Sequence, residues 1–215
     1  MISELYCIDK AADSQELMKS TFVACQHNMD SIAVPPSFIS TIYQFAVKDI
    51  RISSAIDFPI GLSDTSVRIH SILNSARKGA KNVDIVLNNS LVSDKNWREI
   101  EKDIKSCVVA AVSHGLSIRV VIEYRLFSLD VTLSVCDLLK KCGVDAIITS
   151  TGTIADDAVD NFITTKEIME TVGIPVILSS PIISRDFYKE CLNSNIFGVR
   201  FSSSNAAENV LGDVF

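Results

Sequence analysis

With 215 residues, 47% of them hydrophobic and 21% charged, the chain is long enough to bury a large core without help from disulfides or metal. A net charge of −6 and the lack of any Lys/Arg cluster longer than a pair argue against nucleic acid as a partner. No apolar run approaches the ~18 residues of a membrane span, and the N-terminal Met1-Ile-Ser-Glu-Leu-Tyr lacks the basic start and apolar core of a secretory leader.

Short apolar runs alternate with longer amphipathic stretches. A candidate strand over Leu5–Ile8 precedes a helical stretch over Ser14–His27, and a second strand is expected over Ser31–Val34. Arg51–Ile56 leads to a helix over Thr65–Lys78, Val83–Leu87 to one over Asn96–Ser113, and Ser117–Ile122 to one over Ser128–Cys142. Strand Ala146–Thr149, helix Asp156–Thr171, strand Pro175–Leu178, helix Asp186–Asn193 and strand Gly198–Phe201 complete the series. In the Asn96–Ser113 stretch, Ile100, Ile104, Cys107, Val108 and Ala111 share one stripe, as a helix packed on one side requires. The strand runs are largely apolar, and the mean hydropathy of +0.29 fits strands buried on both faces. Eight strands alternating with helices predict an α/β fold, a single (β/α)8 TIM barrel in one domain over residues 1–215. A doubly wound sheet is the rival, and the lack of a GxGxxG after the first strand weakens its nucleotide-binding form.

Punctuation supports the element series. Ser63-Asp-Thr65 and Ser128 precede predicted helices, where their side-chain oxygens are expected to accept bonds from first-turn N–H groups. Gly79 and Gly143 fall where helices stop and the chain turns into the next strand. Cys7, Cys25, Cys107, Cys136, Cys142 and Cys191 form no CxxC and no zinc-like spacing with histidine, so reduced buried thiols and a cytoplasmic protein are expected. His27, His70 and His114 lie on helices or at their ends, away from the strand tops.

Reactive groups of a (β/α)8 barrel stand at the C-terminal ends of its strands. That rule selects Asp9, Asp57, Asp84, Asn88, Glu123, Arg125, Thr149, Ser150, Thr151, Ser179, Ser180, Ser203 and Ser204.

Several segments in order resemble the deoxyribose-phosphate aldolases. They are Ile8-Asp9, Ala55-Ile-Asp-Phe-Pro-Ile-Gly61, Thr65-Ser-Val-Arg68, Gly79-Ala-Lys-Asn-Val-Asp-Ile-Val-Leu-Asn88, Val121-Ile-Glu123, Gly143-Val-Asp-Ala-Ile-Ile-Thr-Ser-Thr-Gly152 and Arg200-Phe-Ser-Ser-Ser204. The resemblance implies a class I aldolase, in which a lysine on the sixth strand forms a Schiff base. A lysine on the seventh strand depresses its pKa, and an aspartate on the fourth assists proton transfer. The aspartate matches Asp84, but the two lysine positions match Ile148 and Ile177. The Gly-Gly turn expected to hold the substrate phosphate is Ser180-Pro181, and proline has no N–H to offer an anion. Thr149, Ser150, Ser179, Ser180, Ser203 and Ser204 remain as candidate substrate or phosphate contacts, with Arg125 or Arg185 as replacement cations. The resemblance puts glycine where Asp57 stands. No cofactor is implied.

Three readings stay open. The leading one is a family member inactive or strongly impaired as a Schiff-base aldolase, retaining Asp84, Asp9 and Glu123, that serves as a binding or regulatory relative, as a homodimer or beside an active relative. Without its two lysines, Asp84 is then expected to stand without cationic neighbours. The second is a lyase acting on a small phosphorylated sugar or aldehyde through Asp84 and Glu123, or through a hard cation held by Asp9, Asp57 and Asp84. The third is a purely structural or interaction protein.

Overall fold

A computed structural model describes residues 1–7, 13–154, 156–182 and 184–212. Among them, eight strands alternate with helices. They are β1 (Ile2–Tyr6), α1 (Ser14–Gln26), β2 (Ser31–Val34), α2 (Ile39–Phe45), β3 (Arg51–Ile56), α3 (Thr65–Arg77), β4 (Asn82–Val86), α4 (Asn89–Ser93), α5 (Trp97–Val112) and β5 (Ser117–Val121). After a single 3₁₀ turn (Tyr124–Leu126) come α6 (Leu129–Lys141), β6 (Ala146–Ile148), α7 (Ala158–Thr171), β7 (Val176–Ser179), α8 (Arg185–Asn193), β8 (Gly198–Phe201) and α9 (Ser204–Leu211). All neighbouring strands pair in parallel, and β8 returns to β1, closing the (β/α)8 barrel that the alternation predicts.

Strand periodicity divides the apolar residues between two cores. The outward phase of each strand (Leu5, Ile32, Ile52, Val83, Ile85, Ile118, Val120, Ile147, Val176, Leu178, Val199 and Phe201) packs under the helices. The α5 stripe joins this layer through Ile100, Ile104, Cys107 and Ala111. All six cysteines are buried, and burial pushes Cys136 up to about 12, which keeps it protonated and unreactive.

Three local expectations change. β1 begins at Ile2 rather than Leu5, because the inward-facing Glu4 interrupts the apolar run that locates a strand in sequence. Neither α3 nor α6 carries the predicted side-chain cap: the Thr65 hydroxyl turns away to Asp103, and Ser128 caps nothing. Asp13, Asn88, Asn96, Asp157, Ser184 and Ser203 cap their helices instead. Gly79 and Gly143 do end helices, both at positive φ. No described helix is long and apolar enough to cross a membrane.

Gly61 is the tightest backbone approach at the C-terminal face. It sits at φ +75°, and a Cβ there would lie 2.3 Å from the Leu87 carbonyl oxygen. Gly61→Ala is expected to cost more than about 1 kcal/mol in denaturant unfolding, because strain and collision add. Gly115→Ala, at φ +69° with open space around its Cβ, should cost distinctly less.

Candidate active site

Strand register stacks two layers inside the barrel. In the middle layer, Glu4 pairs in register with Arg200, and Asp84 with Arg119. These four residues are at most 5% exposed, and their side chains form one ionic network. Arg119 donates from Nε to Asp84 Oδ1 (2.6 Å) and from Nη2 to Asp84 Oδ2 (2.9 Å) and Glu4 Oε1 (2.8 Å). Arg200 donates from Nε to Glu4 Oε2 (2.7 Å) and from Nη2 to Asp84 Oδ2, and its Nη2 also forms an ion pair with Glu4 Oε2. The Ser31 and Ser53 hydroxyls each donate to Glu4 Oε1 at 2.7 Å. Two carboxylates against two guanidiniums leave the quartet formally neutral, the condition under which buried charge is tolerable. The expectation that Asp84 stands without cationic neighbours is therefore wrong, for two arginines clamp it. Burial alone would push the Glu4 carboxyl up. The charges of Arg119 and then Arg200, with the Ser53 hydroxyl, override that and hold it far below the ordinary glutamate range.

The layer above is apolar. Val86, Val121, Ile148 and Ile177 are successive register partners across β4 to β7 and pack as one cluster with Phe58 over it. Ile148 and Ile177 are both 0% exposed. Beside them, at the end of β1, the Tyr6 ring lies 5.1 Å from the Arg200 guanidinium carbon and meets Phe58 edge-on at 5.4 Å. Among the described residues no lysine is buried. Lys10 and Asp9 lie outside them.

Glu123 and Asp57 hold the loops around this lid. Glu123, at the top of β5, is buried and accepts from the Thr151 amide (3.0 Å), the Thr151 hydroxyl and the Ser150 hydroxyl (3.2 Å), so it fastens the Thr-Ser-Thr-Gly loop. Asp57 adopts the left-handed backbone (φ +60°), a geometry in keeping with the glycine that the resemblance puts there. Its carboxylate accepts from the Ser63 amide and hydroxyl and from Nε and Nη2 of the buried Arg68, which also reaches Asp103 and the Gly61 carbonyl. Asp57 and Asp84 thus serve separate arginine networks and do not converge as cation ligands. Among the described residues no group of three His, Cys, Asp or Glu side chains is set to hold a metal.

The candidate phosphate contacts are mostly committed within the protein. Thr149 Oγ1 accepts from the Ser179 amide (3.0 Å), and the Ser179 carbonyl accepts from Asn161. Ser150 bonds Glu123, and Ser203 caps α9, whose first residue is Ser204. Ser180 Oγ is buried without a partner. Arg125 is exposed, and Arg185 Nε donates to the Asn209 carbonyl at 3.4 Å. The open space lies elsewhere. A cavity of about 260 Å³ above β3 to β6 is lined by Pro59, Ile60, Leu62, Asn89, Ser90, Glu123, Thr153 and Ile154. Sequence reasoning missed Glu4, Arg119, Arg200 and Tyr6. The available signal was a lone charged or aromatic residue in the inward phase of an apolar strand.

No protein-family model matches the sequence. Among curated relatives, the deoxyribose-phosphate aldolase of Clostridium perfringens strain ATCC 13124 is 31% identical over 163 residues, 75% of this chain and 71% of that protein. The chain belongs to the deoxyribose-phosphate aldolase family. The Desulfitobacterium hafniense aldolase is 30% identical over 142 residues, 66% of this chain and 65% of that protein. Solved structures share the deoxyribose-phosphate aldolase barrel at lower identity. The aldolase QR15 superposes with a TM-score of 0.86 at 19% identity, covering 97% of this chain and 94% of its own. The tetrameric deoxyribose phosphate aldolase of Aeropyrum pernix also gives 0.86 at 19%, covering 99% and 90%.

Because the Glu4 carboxyl is held below its ordinary range in the folded state, its contribution to stability is present above that range and is lost as pH falls. Unfolding free energy should hold above about pH 5 and decline below about pH 4. Glu4→Gln should flatten that decline while costing about 3–5 kcal/mol at neutral pH, because it leaves a buried guanidinium uncompensated. Chemical denaturation across a pH series reads both effects.

Proposed function

We propose that this chain is a deoxyribose-phosphate aldolase relative that binds a small molecule at its C-terminal face without forming a Schiff base. The observation that carries this reading is the fully buried pair Ile148 and Ile177, at the positions the resemblance assigns to the two lysines. Neither side chain offers an amine, and the layer they form with Val86, Val121 and Phe58 fills the space beneath a substrate. The cations below are guanidiniums, which stay protonated and cannot add to a carbonyl. The aspartate that resemblance casts as proton-transfer partner has its carboxylate bound by Arg119 and Arg200, which opposes a part in proton transfer. Phosphate retention is opposed by Pro181 in the turn and by the internal bonds of Thr149, Ser150 and Ser203.

Two measurements test this. In a retro-aldol assay with 2-deoxyribose 5-phosphate, with and without a chelator, turnover is expected at least ~10⁴-fold below that of an active homologue. Robust turnover in either condition contradicts the reading. Ile148→Lys would place an ammonium in an apolar layer above a quartet whose charges already balance. It is expected to cost about 3 kcal/mol or more, whereas Ile148→Met should cost under about 1.5 kcal/mol. Equal stability of the two variants would mean that the position still accommodates an amine.

A further inference from the structure

The cavity above β3 to β6 differs in chemistry from a phosphate site, and its unmet hydrogen bonds indicate what it holds. Its lining contains no lysine, arginine or histidine. Pro59, Ile60, Leu62 and Ile154 supply an apolar wall, and the polar residues of the lining are Asn89, Ser90, Glu123 and Thr153. Asn89 Oδ1 is buried with no donor. Glu123 accepts three bonds from the Thr151 and Ser150 groups, one short of the four positions a carboxylate offers, and has no cationic partner. The hydroxyl chain can be followed proton by proton. Thr151 Oγ1 gives its proton to Glu123, so in the 2.7 Å contact between the two threonine hydroxyls the donor is Thr153. Thr153 is left with lone pairs only. Among the lining side chains, only the Ser90 hydroxyl and the Asn89 amide nitrogen keep uncommitted protons.

A buried acceptor without a donor is costly, and a site built this way rejects a ligand that cannot supply the missing proton. A phosphate dianion brings acceptors and negative charge to a carboxylate with no cation beside it. A polyol brings donors, and its carbon frame can lie on the Ile60, Leu62 and Ile154 wall. The volume, about 260 Å³, falls just under the roughly 300–1,000 Å³ of pockets for drug-sized ligands and suits a molecule of a few carbons. We propose that this cavity binds a small uncharged polyhydroxy compound, an unphosphorylated sugar or polyol, through ligand hydroxyls donated to Asn89 Oδ1, Glu123 and Thr153. The proposal deepens the non-covalent binding reading and rests on it.

Isothermal titration of the full chain with 2-deoxyribose, 2-deoxyribose 5-phosphate and inorganic phosphate tests it. The free sugar is expected to bind at least about tenfold more tightly than its phosphate ester, with no binding of inorganic phosphate. Asn89→Leu removes the orphan acceptor and Ile154→Trp fills the cavity. Each should weaken sugar binding by about tenfold or more while thermal unfolding shows both variants folded. Preference for the ester, or sugar binding untouched by both folded variants, overturns the proposal. So does an absence of sugar binding at millimolar concentrations. None of these results produces aldol turnover, so the Schiff-base reading stands or falls separately on the retro-aldol assay.

Discussion

The arrangement of this barrel depends on one buried ionic quartet. Glu4 and Asp84 face Arg119 and Arg200 in the middle of the barrel, shielded from water, and every one of the four has at least two charged contacts. A network of this kind is no clear source of net stability, since desolvation offsets much of the attraction. It imposes composition on its surroundings instead. With charge already balanced, any further cation or anion placed against it lacks a partner. The layer above must therefore be neutral, and the chain fills it with Val86, Val121, Ile148 and Ile177.

That layer connects packing to function. A Schiff-base amine has to be uncharged part of the time and within reach of a carbonyl, conditions that a pocket meets by desolvation or a neighbouring cation. Here the two arginines beneath the mouth would supply the cationic neighbours, but no described amine stands there to be tuned. Two described carboxylates near the mouth hold the loops in place. Glu123 fastens the loop after β6, and Asp57 with Arg68 fastens the loop after β3 around Gly61. These two fastened loops form the walls of the remaining cavity, which lies on the β3-to-β6 side rather than over Ile177 and Ser180. Barrel geometry and family membership are thus kept, with an apolar layer between the ionic quartet and the mouth.

Much of the barrel was legible in the chain, because parallel strands buried on both faces leave largely apolar runs between amphipathic helices. Ser31–Val34, Arg51–Ile56 and Gly198–Phe201 match their predicted limits. β1 did not, since locating a strand by its apolar run fails when a buried glutamate interrupts it. Short helices α2, α4 and α9 escaped as well: seven, five and eight residues give too few turns for a helical period to emerge. At the site, the isoleucines at 148 and 177 stand in plain view in the sequence, and it is the motif resemblance that implies lysine at those positions. The company of Asp84 was not. Arg119 and Arg200 lie 35 and 116 residues away along the chain, and only the closing of β8 onto β1 brings all four charges together. The hydroxyl relay from Thr153 to Glu123 was equally hidden, because direction of donation depends on which proton is already used.

The most direct test of a barrel mouth without a reactive amine is covalent capture. The purified chain would be incubated with 2-deoxyribose 5-phosphate, reduced with borohydride and weighed intact by mass spectrometry beside an active aldolase treated identically. The structure leads us to expect the unmodified mass for this chain and a stoichiometric adduct for the active enzyme. A stoichiometric single-site adduct on this chain, mapped to a lysine at the C-terminal face, would contradict the absence of a competent amine on which the functional reading is built.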